Sequence, residues 1–123
     1  MNSDSTMQSN GDLQIRVEAA ADGRTVVLQG EVSMITGGML RMALLDCLQA
    51  GASTKLDAAG ITAIDLSGLQ LLCSAHRTYV SRQAKFQFGG ISETVRENAR
   101  AAGYDTCRSV CPYRREGNCL WKW

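Results

Sequence analysis

Leu13-Gln14-Ile15-Arg16-Val17 alternates apolar and polar residues with a period of two, the pattern of a strand with one buried face. Ala21-Asp22-Gly23-Arg24 follows with Asp-Gly turn chemistry, and Thr25 to Leu28 is a second β-rich run, so the pair reads as a hairpin. The period then changes. From about Thr36 to Ala50, the residues Leu40, Leu44, Cys47 and Leu48 recur at helical spacing and mark one apolar face. Gly37-Gly38 weakens the first turn of that helix, and Gly51 is placed to cap its end. Lys55-Leu56-Asp57 is a short strand candidate, and the chain then reaches Ile61-Thr62-Ala63-Ile64, with Asp65 at the end of that run. A second helix is predicted from Ser67 to about Arg82, with Ser67 as its N-cap and an apolar stripe of Leu69, Leu72, Cys73, His76 and Val80. Lys85 to Phe88 alternates again as a strand, and Gly89-Gly90 turns the chain into a third helix. Ser92 caps that helix, Glu93 sits favourably in its first turn, and Gly103 lies past its end. The order β-β-α-β-α-β-α predicts an α/β fold, a mixed four-stranded sheet with helices packed on it.

A chain of 123 residues has room for one core. Its 45% hydrophobic and 20% charged residues are the balance of a globular protein, and a formal charge of +1 gives no field that would draw it to nucleic acid. No apolar run approaches the ~20 residues needed to span a bilayer, so membrane insertion is not expected. Residues 1–11 are polar, lack the pattern of a secretion signal and are expected to stay unstructured, ahead of a domain over residues 12–105. These features predict a soluble, cytoplasmic protein with no direct nucleic-acid contact.

Residues 106–123 differ in kind, forming a short Cys-rich and Trp-rich extension. Five cysteines in a chain with no export signal argue for free thiols rather than a disulfide framework. Cys107, Cys111 and Cys119 offer three soft ligands for zinc or an iron–sulfur centre, but no neighbouring residue supplies a fourth. A Cys107–Cys111 redox pair is the other chemical reading. The bland alternative is that the extension packs on the domain. If it does not, Trp121 and Trp123 form an exposed anchor for a partner.

Asp65-Leu66-Ser67-Gly68-Leu69 is the segment with the strongest functional signal. A phosphate on a serine at a helix start meets unpaired backbone amides and the positive end of the helix dipole, so it can be accommodated without unfolding. It also adds a charge of roughly −1.5 to −2 beside Asp65. The plain alternative is that Ser67 only caps its helix. Catalysis by a Ser–His pair is excluded, because His76, the single histidine, is nine residues along the same helix, about 13.5 Å away along the axis. No phosphate-binding loop or hydrolase metal spacing is present, so the chain reads as a non-enzyme.

Two pieces of sequence carry a family resemblance. The first is Val27-Leu28-Gln29-Gly30-Glu31-Val32-Ser33 with the Leu-rich helix after it. The second runs from Leu56-Asp57 to Ile64-Asp65-Leu66-Ser67-Gly68-Leu69-Gln70-Leu71-Leu72. Over residues 13–105 the chain resembles a STAS domain of the single-domain anti-sigma factor antagonist type. That resemblance implies a partner switch. Ser67 would be phosphorylated by a serine protein kinase that is also the anti-sigma factor, an ATPase of the histidine-kinase-like type, and dephosphorylated by a serine phosphatase. The unphosphorylated form would bind the kinase. The implied docking surface is the Glu31–Thr36 loop, with Glu31, Ser33, Met34 and Thr36, plus Asp65, Leu66, Gly68 and Leu69 at the start of the second helix. Leu66 replaces the first serine of the family motif, and Ser33 stands where many members carry Asp. Other single-domain relatives are constitutive accessory subunits of chemotaxis-type signalling or lipid-transport complexes. A metal or redox sensor built on the C-terminal cysteines is the third function the sequence allows.

Overall fold

The computed structural model describes residues 5–9, 11–104 and 120–121. Five strands form one sheet: β1 (Ser5–Ser9), β2 (Leu13–Ala20), β3 (Gly23–Val32), β4 (Thr54–Ile64) and β5 (Phe86–Ile91), side by side in that order. The helices are α1 (Gly37–Gln49), α2 (Leu66–Ser81) and α3 (Glu93–Ala101). From β2 onward the order is the predicted β-β-α-β-α-β-α. β2 and β3 form the expected antiparallel hairpin, whereas β3–β4 and β4–β5 are parallel pairs joined through α1 and α2. A parallel pair needs a long crossover, and each helix provides one.

Among the described residues, the helices cover one face of the sheet. Leu13, Ile15, Val26, Leu28, Leu56, Ala58 and Phe86 are buried, while the alternating Gln14, Gln29, Lys55 and Gln87 are exposed. Leu40, Leu44, Cys47 and Leu48 of α1 and Leu69, Leu72 and Tyr79 of α2 fill the space above the buried face, joined by Val95 and Ala99 of α3. Burial of that kind is the dominant stabilising term in a domain of this size.

Four expectations are corrected. Residues 1–11 are not wholly unstructured, since Ser5–Ser9 add a fifth, antiparallel strand to the free edge of β2. Backbone pairing rewards this, because an edge strand offers unpaired N–H and C=O groups. The two fragments Lys55–Asp57 and Ile61–Ile64 belong to one continuous strand, β4. Its register against β3 slips by one residue between the Val27–Asp57 and Gln29–Gly60 pairs, and again between Gly30–Ile61 and Glu31–Ala63. Each bulge moves the inward face on by one position, so buried residues fall at 54, 56 and 58 and then at 61 and 64. Gly89-Gly90 are not a turn, because β5 runs through them to Ile91. Finally, α2 begins at Leu66 with Asp65 as its N-cap, so Ser67 is a residue of the first turn and not the cap.

The remaining boundaries follow the sequence closely. Ser92 caps α3, accepting from the Val95 N–H at 3.2 Å. Gly51 and Gly103, just past α1 and α3, have φ of +77° and +84°, the left-handed conformation that ends a helix at little cost for glycine. Leu120 and Trp121 are buried. Trp121 lies against Phe88, with ring centroids 5.5 Å apart, and against Tyr104 at 5.3 Å. Trp121 is therefore packed on the domain rather than an exposed anchor. Cys107, Cys111, Cys119 and Trp123 lie outside the described residues. Among the described residues, no helix is long and apolar enough to cross a membrane.

Candidate functional site

The C-terminal ends of β3 and β4 lie side by side, Val32 opposite Ile64, and each strand leads directly into a helix-forming segment. After β3 comes the loop Ser33–Thr36; after β4 comes Asp65 and the first turn of α2. The two segments meet. The Asp65 N–H donates to the Val32 carbonyl at 3.2 Å, continuing the strand pairing by one more bond.

Gly68 is what lets α2 start so close to the sheet. A β-carbon there would stand 2.7 Å from Ile64 Cγ1, 2.9 Å from Val32 Cγ1 and 3.0 Å from the Val32 carbonyl oxygen. Those distances are too short for any side chain, so the glycine after Ser67 has a packing reason of its own.

Asp65 collects the donors of this corner. Its Oδ1 accepts from the Gly68 N–H at 2.9 Å, which caps α2, and from the Ser67 hydroxyl at 2.6 Å. The backbone amides of Met34, in the loop, and of Ser67 add weaker favourable electrostatics to the carboxylate. These interactions favour the ionised form, so the Asp65 carboxyl is held below the usual carboxylate range, with the Ser67 hydroxyl as the largest cause and the Gly68 N–H next. Ser67 itself is half-buried at the surface, its hydroxyl engaged by a carboxylate that is exposed.

The loop is tied down at its far end. Thr36 is fully buried, and its Oγ1 donates to the Glu31 carbonyl and accepts from the Ser33 N–H, both at 2.9 Å. The Ser33 hydroxyl accepts from the Ile35 N–H at 3.2 Å and closes a local turn. Between these fixed points Met34 and Ile35 are 82% and 81% exposed, and Leu66, next to Ser67, is 56% exposed. They are three of the four large apolar side chains exposed among the described residues; Leu66 lies between Asp65 and Ser67 in the chain, and Met34 and Ile35 lie in the loop that leaves β3 where Val32 pairs with Asp65. Single exposed apolar residues are ordinary, but a group gathered at one corner marks a contact surface.

The residues assigned to docking from the sequence thus divide. Glu31, Met34, Asp65 and Leu66 are exposed, and Ser33 is partly so. Thr36, Gly68 and Leu69 are buried and shape the surface from beneath without forming it. Ile35 belongs to the surface as fully as Met34, and its sign in the sequence was a second large apolar residue inside a turn. His76 is buried near Phe86, ring centroids 6.5 Å apart, which fits the core histidine expected from its place on the apolar stripe.

A second polar cluster sits at the other end of α2. The Tyr79 hydroxyl, fully buried, donates to the Leu44 carbonyl at 2.6 Å and is bonded to Thr54 Oγ1 at 2.8 Å, so it accepts from the threonine. One side chain thereby links α1, α2 and β4. Burial pushes the Tyr79 hydroxyl up to about 12, and it also raises the pKa of the nearby Cys47 thiol, which leaves that thiol unreactive.

The family described as "Mlab, STAS domain" matches residues 15–112. No curated protein matches the chain in sequence. Among solved structures, an anti-sigma factor antagonist from Mycobacterium paratuberculosis superposes with a TM-score of 0.68 at 19% identity, over 85% of this chain and 91% of that one. The Bacillus cell fate determinant SpoIIAA in its phosphorylated form gives 0.57 at 17% identity, over 84% and 96%. An anti-sigma factor antagonist STAS domain from Rhodobacter sphaeroides gives 0.56 at 22% identity, over 70% and 98%. At these identities the likeness is one of fold.

Proposed function

The chain belongs to the STAS-domain family, and from that premise we propose that it is a non-enzymatic regulator, an anti-sigma factor antagonist that works as a partner switch gated at Ser67. Unphosphorylated, it binds a serine protein kinase of the ATPase type through the apolar corner of Met34, Ile35 and Leu66. Phosphorylation of Ser67 by that partner releases it, and a serine phosphatase restores the binding form. The observation that carries this reading is the position of the Ser67 hydroxyl, reachable from solvent, next in the chain to the exposed Leu66 and on the segment that pairs with the end of β3, from which the exposed Met34–Ile35 loop departs. A phosphate there introduces a strongly hydrated anion into a surface that binds by losing water, which opposes docking. The fold supports accommodation of the phosphate, since Ser67 is in the first turn of α2, where the helix-start amides and the positive end of the helix dipole favour an anion. SpoIIAA, whose fold this chain shares, is known in both an unphosphorylated and a phosphorylated form.

A capture experiment from the host's lysate tests this, with wild type, Ser67→Ala and Ser67→Glu as baits. An ATPase of the kinase type should come down with wild type and Ser67→Ala, and fall roughly tenfold or more with Ser67→Glu. Equal capture by all three would overturn the gate. The same result would favour the reading of a constitutive accessory subunit, which the apolar corner supports irrespective of Ser67.

A further inference from the structure

We propose that the end of the sheet opposite Ser67 holds a binding site for a small phosphate-bearing molecule, formed by Arg24, Lys85 and Lys55 where β3, β4 and β5 begin. The site takes a phosphate or pyrophosphate group and leaves the rest of the ligand outside.

β3, β4 and β5 run parallel, so their first residues gather at one end of the sheet. β3 is ten residues long, which sets that end roughly 30 Å from the Ser67 corner. An open cavity of about 210 Å³ lies there. Among the described residues, Arg24, Lys55 and Lys85 are on its wall, with Asp22 as the one carboxylate. That is an uneven share of cations in a chain whose formal charge is only +1. Among the described residues none of the three cations is in an ion pair. Gathered like charges without counter-charges repel one another, and a bound anion relieves that repulsion.

The cations stand on fixed backbone. Arg24 is paired with Ala19 on β2 and with Thr54 on β4, and its N–H donates to the Ser53 carbonyl at 2.9 Å. The Lys85 N–H donates to Ser53 Oγ at 3.1 Å, and the Lys85 carbonyl accepts from the Thr54 N–H at 2.9 Å. Ser53 therefore ties the roots of Arg24 and Lys85 to one point. The turn before β3 closes on that same point, since a β-carbon on Gly23 would stand 2.1 Å from the Ser53 carbonyl oxygen. Arg24 is half-buried, which restricts its guanidinium further. Lys55 belongs to a row across the open face, between Thr25 and Gln87, and its stem lies over Gly89. Donors held in place before binding lose less entropy when an anion arrives.

The neutral groups suit the same ligand. Ser53 Oγ accepts from Lys85 and keeps its own hydrogen to donate, while Thr25 and Gln87 add a hydroxyl and an amide NH₂. A guanidinium fork with ammonium and hydroxyl donors is the set that recognises phosphate oxygens. Among the described residues the wall has no aromatic ring on which a base would stack. The cavity is also smaller than the roughly 300–1,000 Å³ of sites that enclose a drug-sized ligand. Charge, donors and size agree on the phosphate group alone.

Titration of the full ¹⁵N-labelled chain with sodium pyrophosphate at about 0.15 M ionic strength tests the site by NMR. The amides of Arg24, Ser53, Thr54 and Lys85 should shift and saturate, while those of Leu66 and Ser67 stay in place. Arg24→Gln and Lys85→Gln should each weaken binding about tenfold, and Lys55→Gln about threefold. Asp22→Asn should strengthen it about twofold. Lys85 is exposed, so its variant removes charge without disturbing the core, and unchanged amides of Leu28 and Leu56 establish that each variant is folded. Cosedimentation with phosphatidylcholine vesicles, with and without phosphatidic acid, separates the two sources of phosphate. Saturable shifts with pyrophosphate assign the site to a soluble molecule. Binding to phosphatidic acid vesicles alone, lost in Lys85→Gln, assigns it to a lipid headgroup with the same chemistry. Binding to neither, or binding equally strong in Arg24→Gln and Lys85→Gln, overturns the site. Ser67→Ala should bind pyrophosphate as wild type does, so a failure of the Ser67 switch and a failure of this site are read separately.

Discussion

The two ends of α2 each hold a side-chain hydroxyl that donates a hydrogen bond of 2.6 Å, Ser67 to a carboxylate and Tyr79 to a carbonyl. By distance they are the same bond. Their surroundings differ in every other respect. Tyr79 is buried, both hydrogen-bonding roles of its oxygen are filled, and its acceptor belongs to another helix. Ser67 sits at the surface, and its acceptor is an exposed side chain two residues away. A buried bond resists loss because the abandoned partner has no water to turn to, whereas an exposed bond is exchanged for water at little net cost. One hydroxyl is thus fixed in a structural task, and the other is free to change its chemistry without endangering the fold.

The sharpest way to break that comparison is to remove each hydroxyl in turn. Tyr79→Phe leaves the Leu44 carbonyl and Thr54 without their partner in the interior and should cost about 1–3 kcal/mol in a denaturant titration. Ser67→Ala should stay within about 0.5 kcal/mol of wild type. Comparable losses in the two variants would mean that burial does not separate their roles.

Alkaline titration sharpens the buried half. Tyr79 in the folded protein is raised to about 12, while an unfolded tyrosine titrates near 10. As pH rises past about 10, the unfolded chain gives up its proton first, so stability should fall with pH between about 10 and 12. Tyr79→Phe should lack that part of the slope, and an unaltered alkaline limb in its pH–stability curve would count against the assignment. The exposed half gives the smallest effect, at the opposite end of the scale. Asp65 is held below its ordinary value of about 3.9, so its contribution is complete above that pH and is lost as pH falls through the lower folded value. Asp65→Asn should flatten the acid limb slightly and leave the neutral range unchanged.

The sequence was most readable where a single period ran unbroken. The face of α1 through Leu40, Leu44, Cys47 and Leu48 is buried as its spacing implied, and the β2–β3 hairpin closes through Ala21-Asp22, with Gly23 opening β3. Reading failed where two signals competed. The bulges in β4 break its period of two, so one strand looked like two fragments. Asp65 and Ser67 are both good capping residues, and only the position of the strand end decides for Asp65. On α2 the buried set is Leu69, Leu72, His76 and Tyr79, so Tyr79 takes the place that Val80 held in the predicted stripe. A tyrosine at that spacing shows its apolar body to the core, but nothing local reveals that Leu44 and Thr54 wait for its hydroxyl. Met34 was legible as part of the candidate surface. The bond from the Asp65 N–H to the Val32 carbonyl, which sets that loop beside the start of α2, was not, because it joins residues far apart in the chain.

Ser5–Ser9 bears on how the molecule behaves in a crowd. Without that strand, the outermost rung of the hairpin side would be β2, whose Leu13, Ile15 and Val17 alternate in the manner that recruits further strands from other chains. With it, the edge on offer is Ser-Thr-Met-Gln-Ser, short and polar, a poor template for runaway sheet growth. The strand therefore matters to colloidal behaviour as well as to the sheet, because it occupies the edge at which strands of other chains could otherwise pair.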